Sequence, residues 1–286
     1  MRGIRTMVVA GACALSLIAG CGDDGGGAIA DAAATIDAPV VPDARPDATP
    51  VPDATPPIDA REPALGCLGD PIPTTGIADP LTITGNAYNP GILTPDTPIN
   101  GATIEGFDRG DEITAIVTTT SDASGDFTAS LTTNGEPVDS YLRSTAASYW
   151  TTYLYPPTPV FMNLTGVTVV MVTDAQFSTL TSFVPVTQDQ DLGWVSMVVL
   201  DCEGQPIRGA TVTSTPAAGD TAYSGNGGIP SLTEPATRAD GVAMLFNVPV
   251  GDLELSATVS GMTLRTHTVV VSPVSADKMI TTAIVP

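Results

Sequence analysis

The chain has 286 residues, with 31 acidic against 10 basic side chains and a formal charge of −21. That excess leaves no cationic surface to neutralise phosphates, which argues against nucleic acid as a partner and against electrostatic docking on anionic lipid. A single histidine and four cysteines leave little material for a metal centre, and no motif asks for a cofactor.

Arg2 and Arg5 precede an uncharged apolar run from Met7 to Gly20. The run is shorter than the ~20 apolar residues that a spanning helix needs, and it suits the apolar region of an export signal. It ends in Ile18-Ala19-Gly20-Cys21. This resembles the bacterial lipobox, in which small residues let the peptidase reach the bond and the cysteine thiol takes a lipid. The resemblance implies a signal peptide over 1–20, lipidation at Cys21 and a membrane partner reached through the lipid anchor. Two or more acyl chains hold a protein stably on a bilayer. Gly22 carries no inner-membrane retention signal, which favours the outer membrane of a bacterial cell envelope.

Residues 21–64 read as a disordered tether. Pro42-Asp43-Ala44, Pro46-Asp47-Ala48 and Pro52-Asp53-Ala54 repeat without aromatics, so no core forms and chain entropy wins. Proline and like charge extend such a segment, and roughly 40 residues at about 3.1 Å each reach on the order of 100 Å. Cys13 leaves with the signal and Cys21 takes lipid, so Cys67 and Cys202 remain in an oxidising compartment. They are either a disulfide or two independent thiols. A bridge closing so long a loop contributes roughly 5 kcal/mol in the chain-entropy model.

From Leu65 onward, strand-like runs rich in Thr, Val and Ile alternate with Gly, Pro, Asn and Asp turns. Two motifs occur twice and in the same order. Pro98-Ile99-Asn100-Gly101-Ala102-Thr103-Ile104 matches Pro206-Ile207-Arg208-Gly209-Ala210-Thr211-Val212, and Thr119-Thr120-Ser121-Asp122 matches Thr237-Arg238-Ala239-Asp240. Repeated order implies two copies of one domain. The first strands are Leu81 to Tyr88 and Gly193 to Asp201. Between the copies, Asp174 to Phe183 is expected to be a short helix capped by Thr173.

Asp201 to Val212, Thr237 to Gly241 and Asn247 to Gly251 carry a resemblance to the carboxypeptidase regulatory-like family of transthyretin-like sandwiches. It implies an all-β fold of two tandem transthyretin-like or Ig-like antiparallel β-sandwiches, over 65–173 and 192–286, joined by a linker at 174–191. It implies no chemistry, because the family consists mainly of accessory, binding and structural domains. Zinc peptidase catalysis needs two His and a Glu, and His267 stands alone. No Gly-x-Ser-x-Gly elbow is present. His267 reads as a surface strand residue. Asp122 with Asp126, and Asp189 with Asp191, read as turn residues rather than calcium ligands.

Six aromatic residues lie between Tyr141 and Phe161. Alternation places Trp150, Thr152 and Leu154 on one face, and Tyr149, Tyr153 and Tyr155 on the other. The tyrosines either form an outward row that stacks on a sugar or a partner, or both faces are buried, one in the sandwich and one against the second copy. The chain is expected to be no enzyme. It reads as a membrane-anchored lipoprotein that displays its domains for adhesion or protein–protein contact with an envelope protein. The alternative is a carbohydrate-binding accessory lipoprotein.

Overall fold

A computed structural model describes residues 7–8, 62–91, 95–225 and 228–286. Cys21 and most of the expected tether lie outside them. The first strands are Met7–Val8 (β1), Leu81–Asn89 (β2), Thr97–Pro98 (β3), Thr103–Asp108 (β4), Ala115–Thr120 (β5), Asp126–Leu131 (β6), Ser140–Thr145 (β7), Thr151–Tyr155 (β8) and Leu164–Val170 (β9). The short β1, inside the expected signal, lies parallel to the start of β9. A helix, Asp174–Phe183 (α1), follows. The second copy comprises Gly193–Val199 (β10), Thr211–Thr215 (β11), Asp220–Ser224 (β12), Pro230–Ser231 (β13), Val242–Val248 (β14), Gly251–Val259 (β15), Met262–Thr263 (β16), His267–Val271 (β17) and Lys278–Ile284 (β18).

The copies share one connectivity. In copy one, β2 lies between antiparallel β6 and parallel β9, while β7 lies between β4 and β8. In copy two, β10 lies between antiparallel β14 and parallel β18, while β15 lies between β11 and β17. The fold is all-β with one helix, and each copy is a β-sandwich that includes a parallel strand pair.

A hydroxyl-centred knot sets the entry to each second sheet. In copy one, the Ser121 hydroxyl donates to the Ile99 carbonyl and accepts from the Ala102 N–H. In copy two, the Thr237 hydroxyl donates to the Ile207 carbonyl and accepts from the Ala210 N–H. The Ile99 and Ile207 N–H groups return to the carbonyls of Ala87 and Val199. Ser121 therefore corresponds to Thr237. This corrects the sequence alignment, which set Thr119 opposite Thr237. Thr119 lies instead in β5, where its hydroxyl bonds the Thr128 carbonyl. Gly125 and Gly241 close the two knots at φ 81° and 69°. A Cβ at either would collide with the carbonyl of Ala87 or Val199, so both positions require glycine.

The copies are fused through a single nine-stranded sheet of order β13-β12-β14-β10-β18-β8-β7-β4-β5. Its copy-one half packs on the sheet holding β2, β6 and β9. That core contains Leu81, Ile104, Phe127, Leu131, Leu154 and Val169. Its copy-two half is covered on one face by β11, β15 and β17, with Val195, Met197, Leu245, Leu253, Leu255 and Ile280 between. The helix covers the other face. A capping box links Thr173 and Gln176 at its start, and Phe177 and Leu180 are its buried residues. Phe177 meets Trp150 and Trp194 with ring centroids 4.4 and 5.1 Å apart.

The knot gives a direct test. Thr237 is 3% exposed, and Thr237→Val keeps its shape while leaving the Ala210 N–H and the Ile207 carbonyl without that partner. Urea unfolding is expected to show a loss of about 1–3 kcal/mol.

Candidate functional site: the aromatic junction and the clamped entry

The tyrosines do not form one row. Ser148 adopts φ 70°, and β8 begins only at Thr151. Tyr149 therefore falls outside the alternation and packs, half-buried, on the copy-one core. Tyr153 and Tyr155 face the other way. Tyr155 is 3% exposed, within the core that spans both copies. Its ring stacks on Tyr141 at 5.2 Å, and Tyr141 stacks on Phe107 at 5.6 Å. Burial, followed by the neighbouring Tyr141, raises the Tyr155 phenol well above the usual tyrosine range. Burial and then Glu112 push Tyr141 up to about 12. Of the two readings of this face, burial against the second copy is the one that Tyr155 follows. The second copy covers Tyr155, and only Tyr153 remains half-exposed on this face.

Cations edge the aromatic layer. Arg143 sits over Phe107 at 4.3 Å and pairs with Glu105 at 2.8 Å. The Lys278 ammonium lies 5.4 Å from the centre of the Tyr153 ring. Arg109 lies over Tyr155, pairs with Asp139 and donates to the Thr268 carbonyl. Arg109 therefore ties copy one to the outer edge of β17. Contacts of this kind contribute roughly 0.5–2 kcal/mol each, more where they are desolvated.

His267 also differs from expectation. It is 6% exposed rather than on the surface, and its Nε2 is buried without a partner. The first residue of β17 faces the junction because copy one closes over that edge, which the sequence of copy two alone does not show. Burial, followed by the Arg109 charge, pulls its pKa down to about 4.

The folded body is entered through a covalent clamp. Cys67 and Cys202 form a disulfide with Cα atoms 5.8 Å apart. The Cys202 N–H donates to the Ala64 carbonyl, and the Ala64 N–H donates to Asp201. Asp201 also accepts the N–H groups of Glu203 and Gln205, which fixes the turn after β10. Leu65 packs on the copy-two core. The chain is thus seated on copy two before it enters copy one.

The acidic pairs serve turns. Asp122 accepts the N–H groups of Ser124 and Asp126, and Asp189 accepts that of Asp191. Among the described residues no three His, Cys, Asp or Glu side chains gather where a metal ion would sit.

No known family's sequence profile matches the chain, and no curated protein matches it in sequence. Solved structures similar to it include the Bacillus anthracis TIE protein, at 10% identity over 72% of this chain and 34% of that one, with a TM-score of 0.24. The chain thus spans about a third of that protein's length. The minor pilin GBS52 of Streptococcus agalactiae matches at 11% identity over 72% and 95% of the two chains, with a TM-score of 0.23. A shaft pilin, SpaA, of Lactobacillus rhamnosus GG matches at 11% identity over 72% and 98%, with a TM-score of 0.22.

The burial of His267 sets a pH dependence. The unfolded chain takes up its imidazole proton near pH 6.5 and the folded one only near pH 4. Stability from this group is therefore complete above pH 6.5 and declines as pH falls toward 4, by about 3 kcal/mol in all. Urea unfolding of the protein and of a His267→Gln variant across this range checks it. The variant's stability should fall less steeply than that of the wild type.

Proposed function

We propose that the chain is a lipid-anchored envelope protein that holds a rigid, non-catalytic pair of transthyretin-like sandwiches away from a membrane for adhesion or protein–protein contact. The observation that carries this reading is the clamped entry. The Cys67–Cys202 bridge fixes the chain to copy two at the point where the expected tether ends. A body held from its amino-terminal side gains from such a fixing point. The export-type run, the lipobox-like Ile18-Ala19-Gly20-Cys21 and the acidic proline-rich segment supply the anchor and spacer. No helix among the described residues is long and apolar enough to cross a membrane.

Glycan stacking has a narrower basis than the sequence suggests, since Tyr155 is buried and Tyr149 lies on another surface. Tyr153, between Arg143 and Lys278, is the one tyrosine of the three that still suits a partner on this face.

The anchor is tested by metabolic labelling with an alkyne fatty acid followed by membrane fractionation. The native chain is expected to carry the label and sediment with membranes. Cys21→Ala is expected to lose the label and enter the soluble fraction. Unlabelled native chain, or a membrane-bound variant, contradicts the reading.

A further inference from the structure

We infer that the cleft beside the disulfide binds a small apolar monocarboxylate. The cleft holds about 300 Å³, the size at which small-molecule sites begin, and such sites favour seams between domains. It is built where separate segments meet. Ile72 follows the clamped entry, and Phe161 and Met162 come from the connection between β8 and β9. Leu200 follows β10, Val285 follows β18, and Arg265 precedes β17. Ile72, Phe161 and Met162 are only half-buried. Phe161 packs in part on the copy-one core, and the apolar surface that the three residues leave over lines the cleft.

Arg265 is the one cation among the described residues lining this cleft. Its Nη2 donates to the Asp70 carbonyl at 2.9 Å, while its Nε is buried without a partner. A guanidinium carries five N–H donors, and buried donors in native proteins are almost always paired. A carboxylate matches the planar fork of these donors. The ligand's charge is limited by the same wall. Asp70, Asp201 and Glu203 also line the cleft, so a second negative charge meets no further cation among the described residues there. This favours a monocarboxylate over a phosphate ester, with the apolar body lying along Phe161, Met162 and Leu200. A fatty acyl chain and the free end of an apolar peptide share this chemistry.

Titration calorimetry tests the site. The full chain carrying Cys21→Ser needs no detergent that would compete. Decanoate is expected to bind one saturable site, and decanol, lacking the charge, to bind at least about tenfold more weakly. Met162→Trp fills the cleft from a half-exposed position and should weaken decanoate by about tenfold or more, with an unchanged melting temperature. Arg265→Gln should weaken decanoate but not decanol. An N-acetylated Phe-Leu dipeptide that competes with decanoate identifies a peptide end as the natural source, and one that does not compete identifies an acyl chain. The inference is overturned if neither carboxylate shows saturable binding, if decanol binds as well as decanoate, or if Met162→Trp leaves binding unchanged.

Discussion

The structure depends on one strand placed last in the chain. Lys278–Ile284 runs parallel to Gly193–Val199 of its own copy and parallel to Thr151–Tyr155 of the other. Each ladder fills one edge, so two half-sheets become one. Every residue from Met279 to Ile284 is buried. Met279 enters the core under the helix, while Ile280 and Ile284 enter the core under the second sheet of copy two. A strand that is apolar on both faces and paired on both edges stabilises both copies at once. Parallel pairs also lack the short hairpin connection that would let either half form locally.

The disulfide complements this strand close to its carboxyl end, where Cys67, Cys202 and Val285 line one cleft. The strand joins the copies by hydrogen bonds and burial, and the bridge joins the entry of copy one to the turn after the first strand of copy two. Copy one lies within the covalent loop between Cys67 and Cys202, whose sequence separation is 135 residues. The same geometry creates the cleft with Arg265, because the segment after Cys67 is held against the end of β10. The aromatic layer of Phe107, Tyr141 and Tyr155 fills the seam between these constraints. A surface readable as a binding platform is thus an internal joint.

Much of the fold was legible in local chemistry. The helix at Asp174–Phe183 follows from Thr173 and Gln176, which form a capping box at fixed spacing. The repeat is visible because the Pro-Ile-x-Gly-Ala turn recurs, although residue identity alone aligns Thr119, two residues before Ser121, with Thr237. That error has a physical source. Spacing patterns show that a hydroxyl is present, but not which one reaches the carbonyl of Ile99. Alternation alone leaves the burial of Tyr155 open and puts His267 at the surface for a related reason. Alternation assigns a residue to a face of its strand, and only the contact between copies decides whether that face meets water. Period-two reasoning cannot see a partner more than a hundred residues away. The joining of the half-sheets through β18 was hidden in the same way, because the apolar run Met279–Ile284 suits any buried strand.

Single-molecule extension from the tether side to the carboxyl end tests the joined body most directly. With the bridge intact, the segment enclosed between Cys67 and Cys202 is predicted to add nothing to the unfolded length. With reductant, it is predicted to add about 3.4 Å for each of the 135 residues of separation, roughly 460 Å in all. An unfolded length that is the same with and without reductant would contradict the account.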